Sequence, residues 1–192
     1  MAVPSAQARR EAAHLARVRL QSNPLYLDTE TTGLGPQDEI IEVCLLESDG
    51  SVLFESLVRP AGPIPMDAVR VHGISDDMVA QAPRWPDVWA GLQPRLAGRS
   101  VAVYNAEFDL RLLRQSLARH ALADVIDPST FFCLMLLYAQ FRAEWDASRR
   151  SYRWHSLETA RRQAGLPFPN AHRARDDAFL ARALLQHMAS TS

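Results

Sequence analysis

The sequence predicts a mixed α/β fold, with three antiparallel strands and then parallel strands in one sheet, covered by helices on both faces. Three observations lead there. Short apolar runs at 25–30, 39–47 and 52–58 come first, and the last two are joined by the hairpin signal Asp49-Gly50. A short apolar run at 100–104 then alternates with helical patterns, as in sheets whose parallel strands need crossover helices. Finally, 192 residues at 47% hydrophobic composition suit one domain with a sizeable core.

In chain order, residues 5–21 have high helix propensity and a mild apolar stripe at Ala12, Leu15, Ala16 and Val18; Asn23-Pro24 ends this helix. It reads as an N-terminal helical extension, 1–22, ahead of a main domain, 23–192. The three antiparallel strands follow, and 60–65 (PAGPIP) is an extended connector. A short helix is expected near Ser75, with Asp76 and Asp77 in its first turn, and another from about Pro86 to Leu96. After the 100–104 strand, Asn105 stands at the cap of a helix reaching about His120, with Phe108, Leu112, Leu113 and Leu117 inward. Val125-Ile126 reads as a short strand, 128–145 as one long apolar helix and 148–153 as an arginine-rich loop. A helix from Ser156 to Ala164 stops at Gly165 and Pro167, and the last helix covers about Ala171 to Met188.

Composition removes several classes. No apolar run reaches the ~18 residues of a membrane span, so no membrane association is expected. The arginines near the N-terminus are not followed by an apolar stretch, so no secretory signal is expected. Cys44 and Cys133 are isolated and form neither a disulfide framework nor a zinc set; a reducing cytoplasm is the simplest expectation. The net charge of −1 conceals an asymmetry: residues 21–80 carry eleven acids and two arginines, whereas 141–175 carry eight arginines and three acids. All 21 basic residues are arginine. That fits genome composition, and it also fits a polyanion held between a basic face and a metal site.

Three stretches carry chemistry. In LYLDTETTGLG, 25–35, Asp28 and Glu30 share one face of a strand, a hard-oxygen platform suited to Mg²⁺ or Mn²⁺; solvated acids on an edge face would give the same pattern. In YNAEFD, 104–109, Asp109 lies in the first turn of a helix, where dipole compensation alone explains an acid. In 170–188, the helical phase set by Leu180, Ala181, Leu184 and Met188 puts Asp177 at the centre of the apolar face and Asp176 on the rim. An inward carboxylate needs a partner. His172 precedes that helix body by a turn.

Together, DTETTGL, NAEFD and HRARDD, with VHGIS at 71–75 between the first two, resemble the motifs of the DEDDh 3′→5′ exonucleases, the family of the polymerase III ε subunit, RNase T and the TREX enzymes. The resemblance spans about 25–188. It implies an RNase H-like fold and a metal-dependent enzyme that releases nucleoside 5′-monophosphates from the 3′ end of single-stranded nucleic acid. It implies that Asp28, Glu30, Asp109 and Asp177 hold two Mg²⁺, with Mn²⁺ a substitute, and that His172 is the general base, a task suited to an imidazole. It implies substrate contacts at Thr31, which meets the terminal sugar, and at Leu34, which wedges against the bases; Leu34 as a core residue is the alternative. Phe108 could stack on the strand or pack inward, and Asn105 could contact substrate or only cap. His72 and His155 read as structural. Arg149, Arg150 and Arg153 are phosphate-contact candidates or a solvated basic face.

DNA is favoured as substrate, in proofreading, repair or turnover. RNA 3′-end trimming is the alternative, then a non-catalytic nucleic-acid-binding module. A phosphatase using Asp28 as nucleophile would leave Asp109 and His172 unexplained. A free-standing enzyme is expected more than a polymerase subunit. A polymerase or repair partner and a homodimer are left open.

Overall fold

The structure is a computed structural model that describes residues 5–167 and 171–191. Its centre is a five-stranded sheet of order β3-β2-β1-β4-β5. Strands β1 (Leu25–Thr31), β2 (Ile40–Leu46) and β3 (Val52–Leu57) form the antiparallel half. Strands β4 (Val101–Val103) and β5 (Phe131–Cys133) continue it in parallel with β1. This is the expected RNase H-like arrangement.

Strand alternation gives the sheet two buried faces. Leu25 and Leu27, with Val43, Leu45, Val101 and Val103, face α4 (Trp85–Leu96) and α5 (Ala106–Arg119). Tyr26, Cys44, Leu46 and Ala102 face the opposite layer. That layer holds α1 (Ser5–Gln21), α6 (Leu134–Arg142), α7 (Leu157–Ala164) and α8 (Ala174–Ser190). Asp28 and Glu30 follow Tyr26 on this second face, so the acids lie beneath helix α8 and not on an open edge.

Several expectations change. The buried stripe of α1 is Ala8, Ala12, Ala13 and Ala16, whereas Leu15 and Val18 face outward. Alanine wins because α1 lies close against α6 and α8, where a larger side chain has no room. The apolar stretch 128–145 is not one helix. Asp127 accepts the Ser129 N–H at 2.9 Å, a 3₁₀ turn covers Pro128–Thr130, β5 takes Phe131–Cys133, and only then does α6 begin. A short, wholly apolar strand running straight into an apolar helix leaves no periodicity to divide them. Val125-Ile126 is loop, and the arginine-rich stretch belongs to a hairpin, β6 (Trp145–Asp146) with β7 (Ser151–Tyr152). A helix α2 (Met66–His72) precedes the expected short helix, α3 (Asp76–Val79). The last helix starts at Ala174, three residues later than expected. Asn170, which opens the third stretch, lies outside the described residues.

Candidate active site

The parallel half of the sheet delivers its residues to one end. β1 and β4 run side by side and both end at the same edge, where β1 brings Asp28 and Glu30 and β4 passes through Tyr104 into α5. Asp109 lies in the first turn of α5 and is buried. From the opposite layer α8 brings Asp177, also buried, while Asp176 is exposed, as its helical phase requires. Ligand oxygens of Asp28, Glu30 and Asp177 all lie within 4.8 Å of one another. Asp109 and His172 line the same hollow, of about 360 Å³, together with Asn105 and Phe108.

The acids sit in mutual conflict. Burial, and then the neighbouring charges of Asp109, Asp177, Glu30 and Glu42, push Asp28 well above the ordinary carboxylate range. Burial likewise pushes Glu30 up to about 8, with Asp177 the next contributor. Asp177 is raised by burial to about 7, against the backbone amides of Ala171 and His172. Asp109 is raised by burial to about 7, although its hydrogen bond from Thr29 works the other way. Oδ1 of Asp177 is buried and has no hydrogen-bond partner among the described residues. A cluster of hard oxygens, an unpartnered buried one among them, fits divalent cations.

Two supports were not foreseen. Thr29 points to the α5 face of β1, and its hydroxyl donates to Asp109 Oδ1 at 2.8 Å. β1 thus holds one acid from each side, Asp109 through Thr29 and Asp177 across from Asp28 and Glu30. The second support is Glu42, which stands opposite Glu30 in the β1–β2 register and so on the same face. It is 3% exposed, and accepts from the Arg173 guanidinium and from the Ala174 backbone N–H at 2.9 Å. This pair seats the first turn of α8, and with it the residues on either side of it, His172 and Asp177. An acid inside the apolar strand EIIEVCLLE was the visible signal for it.

The other candidate residues sort as follows. His172 is exposed, with φ of +47°, a left-handed turn that aims its side chain apart from the helix that follows. Leu34 is 77% exposed, which excludes a core role. Thr31 is buried and donates to the Gly33 carbonyl at 2.7 Å, within the loop that carries Leu34. Asn105 stands at the start of α5 but makes no side-chain cap. Phe108 is half-buried at the rim. The buried His72 accepts the Ile74 N–H at 3.0 Å, and the buried His155 ring stands edge-on to Tyr138 at 5.9 Å, so both side chains pack structurally.

The exonuclease (RNase T) family model matches residues 25–185. This chain belongs to the exonuclease family. It is similar to exonuclease CP81 of Escherichia phage 186, with 35% identity over 181 residues that cover 91% of this chain and 92% of that protein. It is 30% identical to the DNA polymerase III subunit epsilon of Treponema pallidum, over 84% of this chain and 74% of that one. Among solved structures, exonuclease X in complex with 5′-overhanging duplex DNA aligns with a TM-score of 0.62 and 26% identity, over 87% of this chain and 92% of that one. The exonuclease is of the DEDDh type, a 3′→5′ phosphodiester hydrolase. Among the described residues, no helix of this exonuclease is long and apolar enough to cross a membrane.

Proposed function

We propose that this chain removes nucleoside 5′-monophosphates one at a time from the 3′ end of single-stranded DNA. The convergence of Asp28, Glu30 and Asp177 oxygens within 4.8 Å, in a hollow that also takes Asp109 and His172, carries this reading. Two Mg²⁺ held by those four carboxylates would supply positive charge at the scissile phosphate and an acidified water, with Mn²⁺ able to substitute. His172 accepts the proton of the attacking water from its exposed position beside the cluster. Glu42 and Arg173 fix the turn from which His172 projects. Phe108 and Leu34 press on the terminal base, Asn105 borders it, and Thr31 holds the Leu34 loop toward the terminal sugar.

Similarity to a polymerase III ε subunit and to a nuclease solved with DNA supports DNA over RNA, and admits a polymerase or repair partner. Helix α1, Ser5–Gln21, forms an accessory brace ahead of a catalytic unit that starts at 23. Matched DNA and RNA oligonucleotides, labelled at the 5′ end, test the reading in Mg²⁺, Mn²⁺ and EDTA. A metal-dependent ladder shortening from the 3′ end, faster on DNA and absent for Asp28→Ala, is expected; a faster RNA ladder would move the substrate to RNA. His172→Ala should lose turnover while retaining metal affinity in calorimetry. Equal loss of both would remove His172 from the proton-accepting role.

A further inference from the structure

A second hollow, of about 400 Å³, adjoins the acidic one and shares Asn105 and Phe108 with it. Beyond Phe108 its walls hold the apolar side chains of Met135 and Leu136, from the first turn of α6, and Trp154, from the segment after β7, with the acid Glu107 of α5 also on its lining. Leu136 and Trp154 are 51% and 52% exposed. Of the other three indoles, Trp85 and Trp89 stack inside the α4 layer, and Trp145, 45% exposed, stands edge-on to Tyr152 at 5.4 Å. An indole left half in water at the mouth of a catalytic cleft therefore has unused stacking area. Arg111 also lines this hollow. Its guanidinium lies over the Phe108 ring at 5.1 Å and donates to the Leu34 carbonyl at 3.2 Å, tying the Leu34 loop to Phe108. The hairpin just before Trp154 displays Arg149, Arg150 and Arg153, all exposed.

We infer that this hollow is a further nucleobase subsite, in which Trp154 stacks a base upstream of the 3′-terminal dinucleotide while the hairpin arginines meet the backbone phosphates. The inference rests on the nuclease reading of the acidic hollow. Its occupant follows from continuity: a strand whose last nucleotide lies against Asp28 and Asp177 must leave past Phe108, and the apolar track from Phe108 to Trp154 starts there. An aromatic face accepts any base, so the subsite adds grip without sequence preference. The cationic hairpin suits a polyanion and disfavours an apolar protein helix as occupant.

The test uses the full chain, a thymidylate decamer and a thymidylate dimer. Binding is followed by tryptophan fluorescence and by anisotropy of labelled oligonucleotide in EDTA; turnover is followed separately in Mg²⁺. The decamer, not the dimer, is expected to quench the fluorescence. Trp154→Phe should abolish the quench yet keep decamer affinity, because the aromatic face remains. Trp154→Ala should weaken the decamer by about ten-fold, the factor a lost base–aromatic stack carries, and leave the dimer unchanged. Unchanged decamer binding in Trp154→Ala, or equal loss of decamer and dimer, would overturn the subsite. A chain that bound the decamer through Trp154 and cut nothing would uphold the subsite and fail the nuclease reading. A chain that cut decamer and dimer alike in wild type and Trp154→Ala would do the reverse.

Discussion

Arg173→Gln should be the most informative single change outside the carboxylate cluster. In the native chain Glu42 is 3% exposed, and its charge is balanced by Arg173, whose side chain is 38% exposed. Removing the guanidinium leaves a buried carboxylate with one backbone N–H, from Ala174, and with Glu30 opposite it. Breaking a buried pair from one side costs about 3–5 kcal/mol. The exposed rim at Arg173 admits some water, so roughly 3 kcal/mol is expected, a Tm fall of about 6–12 °C for a chain of this size. Glu42→Gln strands the partner that can rehydrate, and should cost only about 1–2 kcal/mol. The double variant should fall short of the sum by about 1–2 kcal/mol. Urea unfolding at pH 8 in EDTA supplies all three values. Both single variants should also lose at least about ten-fold in kcat, because the turn that aims His172 has lost its seat. Additive energies, equal cost for the two single variants, or full kcat in Arg173→Gln would refute the reasoning.

Asp177→Asn should abolish turnover and Asp176→Asn should alter it by less than about three-fold, since one is buried in the hollow and the other exposed on the rim; steady-state rates on one oligonucleotide decide this. In EDTA the folded chain holds protons on Glu30, Asp109 and Asp177 up to about pH 7–8, where the unfolded chain has released them near 4. The native state therefore binds more protons across that window, and stability must fall as pH rises through it. Thermal melts should give a lower Tm at pH 8.5 than at pH 5.5, and Mg²⁺ should recover most of the difference at pH 8.5; a metal-free Tm that rises with pH would contradict the cluster. Thr29→Val removes the hydrogen bond that opposes the rise at Asp109, so the acid limb of the rate profile should move to higher pH. A profile that drops uniformly would mean that Thr29 only packs.

Much of the candidate site is legible in the sequence alone. Asp28 and Glu30 announced themselves as acids on an apolar strand, and Asp177 separated from Asp176 by helical phase alone. What escaped was whatever depends on a partner distant in sequence. Thr29 looks like an ordinary strand residue until α5 delivers Asp109 to it, 80 residues later. Glu42 carries the same signal as Asp28, yet its partner Arg173 is 131 residues away. β5 was hidden because FFC and LMLLYA are equally apolar, and only pairing with β4 distinguishes strand from helix. The face of α1 was misjudged for a related reason: hydrophobicity favours Leu15 and Val18, but a close helix contact selects Ala12 and Ala16.

β1 reaches both layers of the fold through opposite faces, with Thr29 toward α5 and Asp28 toward α8. The site is therefore assembled like a fold-over seam, and it registers the offset between two laminae that hardly touch elsewhere. Extra volume introduced on one side alone would slide Asp109 relative to Asp177 and spoil their alignment. Matched volume on both sides would carry the two acids along together. Tolerance in such a molecule takes the form of paired changes across the sheet, between side chains that never meet.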